Sequence, residues 1–254
     1  MNLDLKNKKA VIFGVANKKS IAWSVAKLLN SQGVKVFLGY QKRNEDEVEK
    51  LIRNLNNSSG CICELSDEEC LNNFFYKLKK KFGKFDFLIH SVAFAKKDFL
   101  KGKFFEIDRK NFALSQEISV RSLIEVSKRS YDMINKDGSI IAMSHLGGLR
   151  VFENYNIMGI CKAALESSVR YLAKDFGNRG IRVNSVSAGP VETSAASAIT
   201  GFKKMLKSQK QKSLIKEKIT AEDVGKTTLF LCSDLSKKIT GQTIYVDGGY
   251  SIAG

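Results

Sequence analysis

Short apolar runs rich in β-branched residues alternate with longer amphipathic stretches along the whole chain. The strand-like runs are "KAVIFG" (9–14), "VKVFLGY" (34–40), "GCICEL" (60–65), "FDFLIHSV" (85–92), "SIIAMS" (139–144), "IRVNSVSA" (181–188) and "TIYVDG" (243–248). Between them apolar positions recur at helical spacing near 21–31, 45–56, 67–81, 109–134, 155–177 and 221–233. "SDEE" from Ser66 and "TAED" from Thr220 resemble capping boxes, in which a hydroxyl and a carboxylate satisfy amides at a helix start. This alternation predicts a Rossmann-like, doubly wound α/β fold: a parallel sheet of about seven strands with helices on both faces. The strand runs are apolar along their length, as a sheet covered on both faces requires. No linker, repeat or low-complexity stretch divides the sequence, so residues 1–254 read as a single domain. Sheets of this kind bind ligands at the carboxyl ends of their strands, which is where functional residues are expected.

Composition narrows the class of protein. No apolar run approaches the roughly 20 residues of a membrane span, and "MNLDLKNKKAVIFG" lacks the order of a signal peptide. A cytoplasmic protein is expected. Five cysteines without a repeating spacing argue for buried, reduced thiols rather than a disulfide framework. With only His90 and His145 to add, they offer no metal site. The net charge of +16 permits attraction to polyanions, yet the basic residues are spread along the chain rather than gathered in a tail.

Candidate chemistry falls just after the strand runs. In "FGVANKKSIAWSVA", Gly14 ends the first run, and Ser20 and Ile21 open a helix whose free amides favour a phosphate. The three-glycine dinucleotide fingerprint is absent, so a plain strand–loop–helix turn explains this segment as well. After the second run comes "GYQKR": Gln41 suits a ribose diol, while Lys42 and Arg43 suit a 2′-phosphate, leaving the form of a dinucleotide open. Glu64, after the third run, is a candidate acceptor for an adenine amino group or a solvated carboxylate. Tyr155 and Lys162 stand seven residues apart, on one helix face at about 3.6 residues per turn. A phenol beside a cation is a candidate acid or oxyanion donor, because the charge favours its ionised or hydrogen-bonding form.

Five segments taken together, "GVANKKSIA" (14–22), "HSVAFA" (90–95), "NYNIMGICKAALE" (154–166), "IRVNSVSAGPVET" (181–193) and "VDGGYSI" (247–252), carry a resemblance. The chain resembles the short-chain dehydrogenase/reductase family, in its divergent branch of enoyl-acyl-carrier-protein reductases of bacterial fatty-acid synthesis. The resemblance implies reduction of the carbon–carbon double bond of trans-2-enoyl thioesters on acyl carrier protein, by hydride from NADH, with NADPH left open. It supplies a reason for the spacing. Carbonyl-reducing relatives keep Tyr and Lys four residues apart. In an enoyl thioester hydride lands on C3 while charge develops on the thioester oxygen, farther from the nicotinamide. A tyrosine set back one turn, about 5.4 Å, serves that oxygen, and Met158 fills the vacated place.

By the same resemblance Tyr155 would act as oxyanion donor and Lys162 would hold the nicotinamide ribose. Gly14, Ser20, Ile21, Gln41, Glu64, Leu65 and Val92 would line the cofactor, and Val191, Glu192, Thr193, Ser194 and Ala195 would cover its nicotinamide and pyrophosphate end. Ala95, Phe202 and Met205 would flank the acyl chain, within substrate-binding loop and helices near 191–218. A homotetramer, no nucleic acid and no metal are implied. Departures stand at four places. His145 replaces a second aromatic residue, as a catalytic donor or a wall residue, and could titrate near neutrality. Glu192 and Ser194 follow "GPV" where a basic and an apolar residue are usual, and Leu214 replaces a proline. Two rival readings remain: a reductase of another enone or carbonyl, and a basic nucleic-acid-binding protein on a retired reductase scaffold.

Overall fold

The computed structural model describes residues 3–197 and 199–253. Its strands are β1 (Lys9–Phe13), β2 (Lys35–Tyr40), β3 (Ser59–Ile62), β4 (Phe85–His90), β5 (Ile134–His145), β6 (Arg182–Ala188) and β7 (Thr243–Val246). They form one all-parallel sheet in the order β3-β2-β1-β4-β5-β6-β7. The helices are α1 (Ile21–Ser31), α2 (Glu45–Ile52), α3 (Glu68–Phe82), α4 (Arg109–Gln116), α5 (Ser122–Ser130), α6 (Asn156–Gly177), α7 (Ser194–Ser197), α8 (Phe202–Lys212) and α9 (Ala221–Cys232).

Because successive strand side chains point to opposite faces, β1 feeds two cores. Ala10 and Ile12 pack with α1, α2 and α9 on one side. Val11 and Phe13 pack with α3, α5 and α6 on the other. The expected doubly wound architecture is therefore present. The edge strands β3 and β7 are only half-buried, unlike the fully buried β4 and β6.

Local departures have local causes. The stretch expected as one helix over 109–134 is α4 and α5 joined by a π-helical turn, Glu117–Arg121. That turn brings Ser119 to Phe94, whose N–H the serine hydroxyl accepts (2.9 Å) and whose carbonyl it faces at 3.2 Å, pinning the loop after β4. Thr220 and Asp223 form the full capping box at α9. At α3 the cap is Asp67, not Ser66, its carboxylate accepting from the Cys70 amide at 3.0 Å. Tyr155 precedes α6 as its N-cap instead of opening its first turn. All five cysteines are free; Cys63, Cys161 and Cys232 are buried, whereas Cys61 and Cys70 are half-buried, against the expectation for those two.

Candidate active site

The strand order reverses direction between β1 and β4, and the crevice outside that switch point is where such sheets take ligands. A cleft of about 650 Å³ opens there. At its floor Gly14 adopts φ +102°, and a β-carbon would stand 2.0 Å from the Ser91 carbonyl oxygen. Only glycine lets the first turn lie that close to the end of β4. Ser20 then accepts from the amides of Ala16 and Asn17, both at 3.1 Å, which shapes the entry to α1. The first amides of α1 have no acceptor in a preceding helical turn and suit an anion.

One polar corner of the cleft is built from residues after β2 and β3. Glu64 accepts from the Lys42 amide at 2.9 Å and from the Gln41 side chain at 3.3 Å. Arg43 donates to Gln41 Oε1 at 2.8 and 3.1 Å. Glu64 is thus an organising acceptor rather than a free solvated carboxylate. Of the two cations, Arg43 lines the cleft, whereas Lys42 pairs with Glu45.

In the centre stand Tyr155, Lys162 and His145. Met158 lines the cleft at the one-turn position between the first two. Lys162 is buried and donates to the Met143 carbonyl at 2.8 Å, the one acceptor it has among the described residues. An ammonium carries three donors, so two remain for a ligand. Burial pulls the Lys162 pKa down to about 8, with Cys161 and Glu166 opposing. Burial also pushes the Tyr155 phenol well above its ordinary range, with further upward contributions from Cys161 and Glu166. Tyr155 therefore stays a neutral hydrogen-bond donor; of the two forms expected beside a cation, the ionised one is not found. Gly147 is needed here, since a β-carbon on it would stand 2.4 Å from the Tyr155 ring.

His145 does not titrate near neutrality. Burial first, then the charge of Lys162, lowers its pKa to about 4. Its Nδ1 accepts from the Gly147 amide at 2.9 Å, so the neutral ring carries its proton on Nε2. The ring packs against those of Tyr155 and Phe152, with centroids 4.7 and 5.3 Å away. His145 is a wall residue with one N–H to offer.

The remaining residues singled out from the sequence, Leu65, Val92, Ala95, Val191, Thr193, Ser194, Ala195, Phe202 and Met205, also line the cleft. Glu192 does not; its carboxylate accepts from Lys218 at 2.6 Å on the outer side of the same segment. Sequence reasoning also missed the bond from Asn17 Nδ2 to Ser194 Oγ, 2.9 Å long, which joins the first turn to the segment after β6. No local pattern signals a contact between residues 177 positions apart. Leu100 and Ile199 extend the apolar wall around Ala95, Phe202 and Met205. The cleft thus has an anion-receptive floor, a polar corner at Gln41 and Glu64, a buried cation with spare donors and an apolar end. These residues fit a nicotinamide dinucleotide beside an apolar substrate. Among the described residues no cluster of His, Cys, Asp or Glu could hold a metal ion.

The chain is similar to known proteins in sequence and fold. The family described as enoyl-(acyl carrier protein) reductase matches residues 14–251. The enoyl-[acyl-carrier-protein] reductase [NADH] FabI of Rickettsia prowazekii is 44% identical over 254 residues, covering 98% of this chain and 96% of that protein. The crystal structure of the Anaplasma phagocytophilum enoyl-(acyl-carrier-protein) reductase with NAD superposes with a TM-score of 0.94 at 41% identity, covering 98% and 96% of the two chains. That of the Bacillus cereus enoyl-acyl carrier protein reductase, with NADP⁺ and indole naphthyridinone, gives 0.96 at 40% identity over 100% of both. The chain belongs to the enoyl-(acyl carrier protein) reductase family.

Proposed function

We propose that this protein reduces the carbon–carbon double bond of trans-2-enoyl thioesters carried on acyl carrier protein, using a nicotinamide dinucleotide. The observation that carries this reading is the placement of Tyr155 and Lys162 on one cleft wall, two turns apart, with Met158 between them. Bound in the cleft, the dinucleotide supplies the hydride. Tyr155 would donate a hydrogen bond to the thioester oxygen, where negative charge gathers as C3 takes the hydride; its raised pKa keeps the proton on the phenol, and C2 would take its proton from solvent as the enolate collapses. Lys162 directs its spare N–H groups to the ribose of the nicotinamide half. His145 offers its Nε2–H to the same polar centre. The apolar side chains of Ala95, Phe202 and Met205 enclose the acyl chain and keep water from it.

Gly14, Ser20, Ile21, Gln41, Glu64, Leu65 and Val92 hold the rest of the dinucleotide, with Val191, Thr193, Ser194 and Ala195 covering it. Gln41 favours NADH, and Arg43 is the cation placed to take the 2′-phosphate of NADPH. The reading extends to assembly and location. A homotetramer would bury the exposed apolar side chains of Ile124 on α5 and of Ile160 and Tyr171 on α6, and the site of action is the cytoplasm. No helix is long and apolar enough to cross a membrane among the described residues. The intact Tyr155–Lys162 arrangement speaks against a retired scaffold that binds nucleic acid. The test is oxidation of NADH or NADPH followed with a crotonyl-type enoyl thioester and with a saturated ketone. Turnover of the enoyl thioester alone supports the proposal; turnover of the ketone alone, or of neither, overturns it.

A further inference from the structure

Cys70 stands at the start of α3, its amide held by the Asp67 cap at 3.0 Å, and its side chain turns back toward the end of β3. There the sulfur accepts from the Glu64 N–H at 3.2 Å and faces the Ile62 carbonyl at 3.8 Å as a weak donor. A thiol serves both roles weakly, and no apolar side chain serves either. Cys70 does not itself line the cleft, but the residue it holds does. Glu64 in turn fixes the Lys42 amide and the Gln41 side chain, and its neighbour Leu65 forms the adjoining wall. One chain of contacts therefore runs from the half-buried thiol to the adenosine corner. The Glu64 carbonyl adds a short link of its own, accepting from the Asp67 amide at 3.1 Å, so the whole turn 64–67 is braced against α3.

We propose that Cys70 is a positioning residue for the adenosine half of the cofactor, holding the Glu64–Leu65 turn in place through the Glu64 amide. This rests on the dinucleotide reading of the cleft. Its distinguishing consequence is spatial: the effect reaches the adenosine corner and stops short of Tyr155 and Lys162. Valine keeps the approximate volume of the thiol and removes the acceptor, whereas serine keeps an acceptor.

The test is calorimetric titration of the full-length protein and its Cys70→Val and Cys70→Ser variants with NADH, ADP and reduced nicotinamide mononucleotide, together with steady-state kinetics on an enoyl thioester. Loss of one amide hydrogen bond corresponds to an affinity change of about two- to tenfold. Cys70→Val is expected to weaken NADH and ADP by that factor and to raise KM for NADH. Its kcat, its KM for the enoyl thioester and its affinity for the mononucleotide should stay at the level of the unaltered protein. Cys70→Ser should restore NADH and ADP binding to within about twofold. Equal weakening of ADP and the mononucleotide, or a fall in kcat matching the rise in KM, would show a general structural role and overturn the inference. So would unchanged NADH and ADP affinity in the valine variant. If the unaltered protein binds neither NADH nor ADP, the cleft reading itself is overturned and this inference with it.

Discussion

At the proposed adenosine end of the cleft, Glu64, Gln41 and the Lys42 amide are joined by hydrogen bonds between the ends of β2 and β3, on a turn braced by α3. At the proposed acyl end, α8 is anchored by the buried Gln209, which donates to Ser213 at 3.0 Å, while the outer side carries exposed ion pairs, Glu192 to Lys218 and Lys204 to Glu153 at 3.5 Å. The first set follows from strand order, since adjacent strand ends in a parallel sheet bring their loops together. In the second set, the ion pairs join flexible side chains at the surface, where each contributes about 0–1 kcal/mol. The cofactor end is thus a template set by adjacent strand ends, while the outer face of the acyl end rests on weak ion pairs above the buried anchor at Gln209. Such a division suits a reaction with one constant reactant and a second whose acyl chain must enter and leave.

The largest effect is expected where the template is tightest. Gly14→Ala forces a β-carbon to 2.0 Å from the Ser91 carbonyl at a φ of +102°. A loss on the order of 3–5 kcal/mol, or failure to fold, is expected in denaturant unfolding. Near-normal stability would show that the first turn is as adjustable as the acyl end.

In the centre, Tyr155→Phe should lower kcat on an enoyl thioester by about 10²–10³ with NADH affinity unchanged, because one oxyanion donor is lost. Turnover equal to that of the unaltered protein would remove Tyr155 from the chemistry.

Lys162→Met sharpens the contrast through two readouts. NADH binding should weaken about 10- to 100-fold, as the ribose loses its charged donors. Stability should move the other way. The folded-state pKa of Lys162, about 8, lies below its ordinary 10.5. Between those values the unfolded chain holds the proton that the folded chain has released, so this group makes stability rise with pH across that window. Below about pH 8 its burial cost is fully present. The methionine variant should therefore be more stable than the unaltered protein at pH 7, with the gap closing as pH rises toward 10.5. Thermal unfolding across that range checks the sign.

The smallest effect is expected at the outer acyl end. Lys203, Lys204 and Lys207 are exposed on α8 and suit an acidic carrier protein. Replacing all three with Glu should lower kcat/KM for carrier-bound substrate on the order of tenfold and blunt its salt dependence. A small enoyl-CoA should be affected much less. Equal losses on both substrates would mean that the acyl end is as rigidly coupled to the chemistry as the cofactor end.

Much of this division was legible along the chain. α1 begins and ends where the apolar spacing placed it, and the Thr220 box caps α9 as its residues imply. These features are local: amide satisfaction and side-chain periodicity involve residues a few positions apart. The Ser66 box failed for an equally local reason, since Asp67 one residue later offers a carboxylate to the Cys70 amide. Glu192 was misplaced because its residue type was assigned to the cofactor by position in a motif. Its partner Lys218 lies 26 residues on, across α7 and α8.

By itself the sequence determined the alternation that makes a doubly covered parallel sheet, the glycine at the first turn and the seven-residue spacing of Tyr155 and Lys162. Each depends on backbone geometry that repeats from residue to residue. Only the tertiary structure decided that His145 stays neutral, that Tyr155 keeps its proton and that Lys162 is pulled toward neutrality. Those outcomes depend on desolvation, and how much water a side chain loses is set by elements that are distant in sequence.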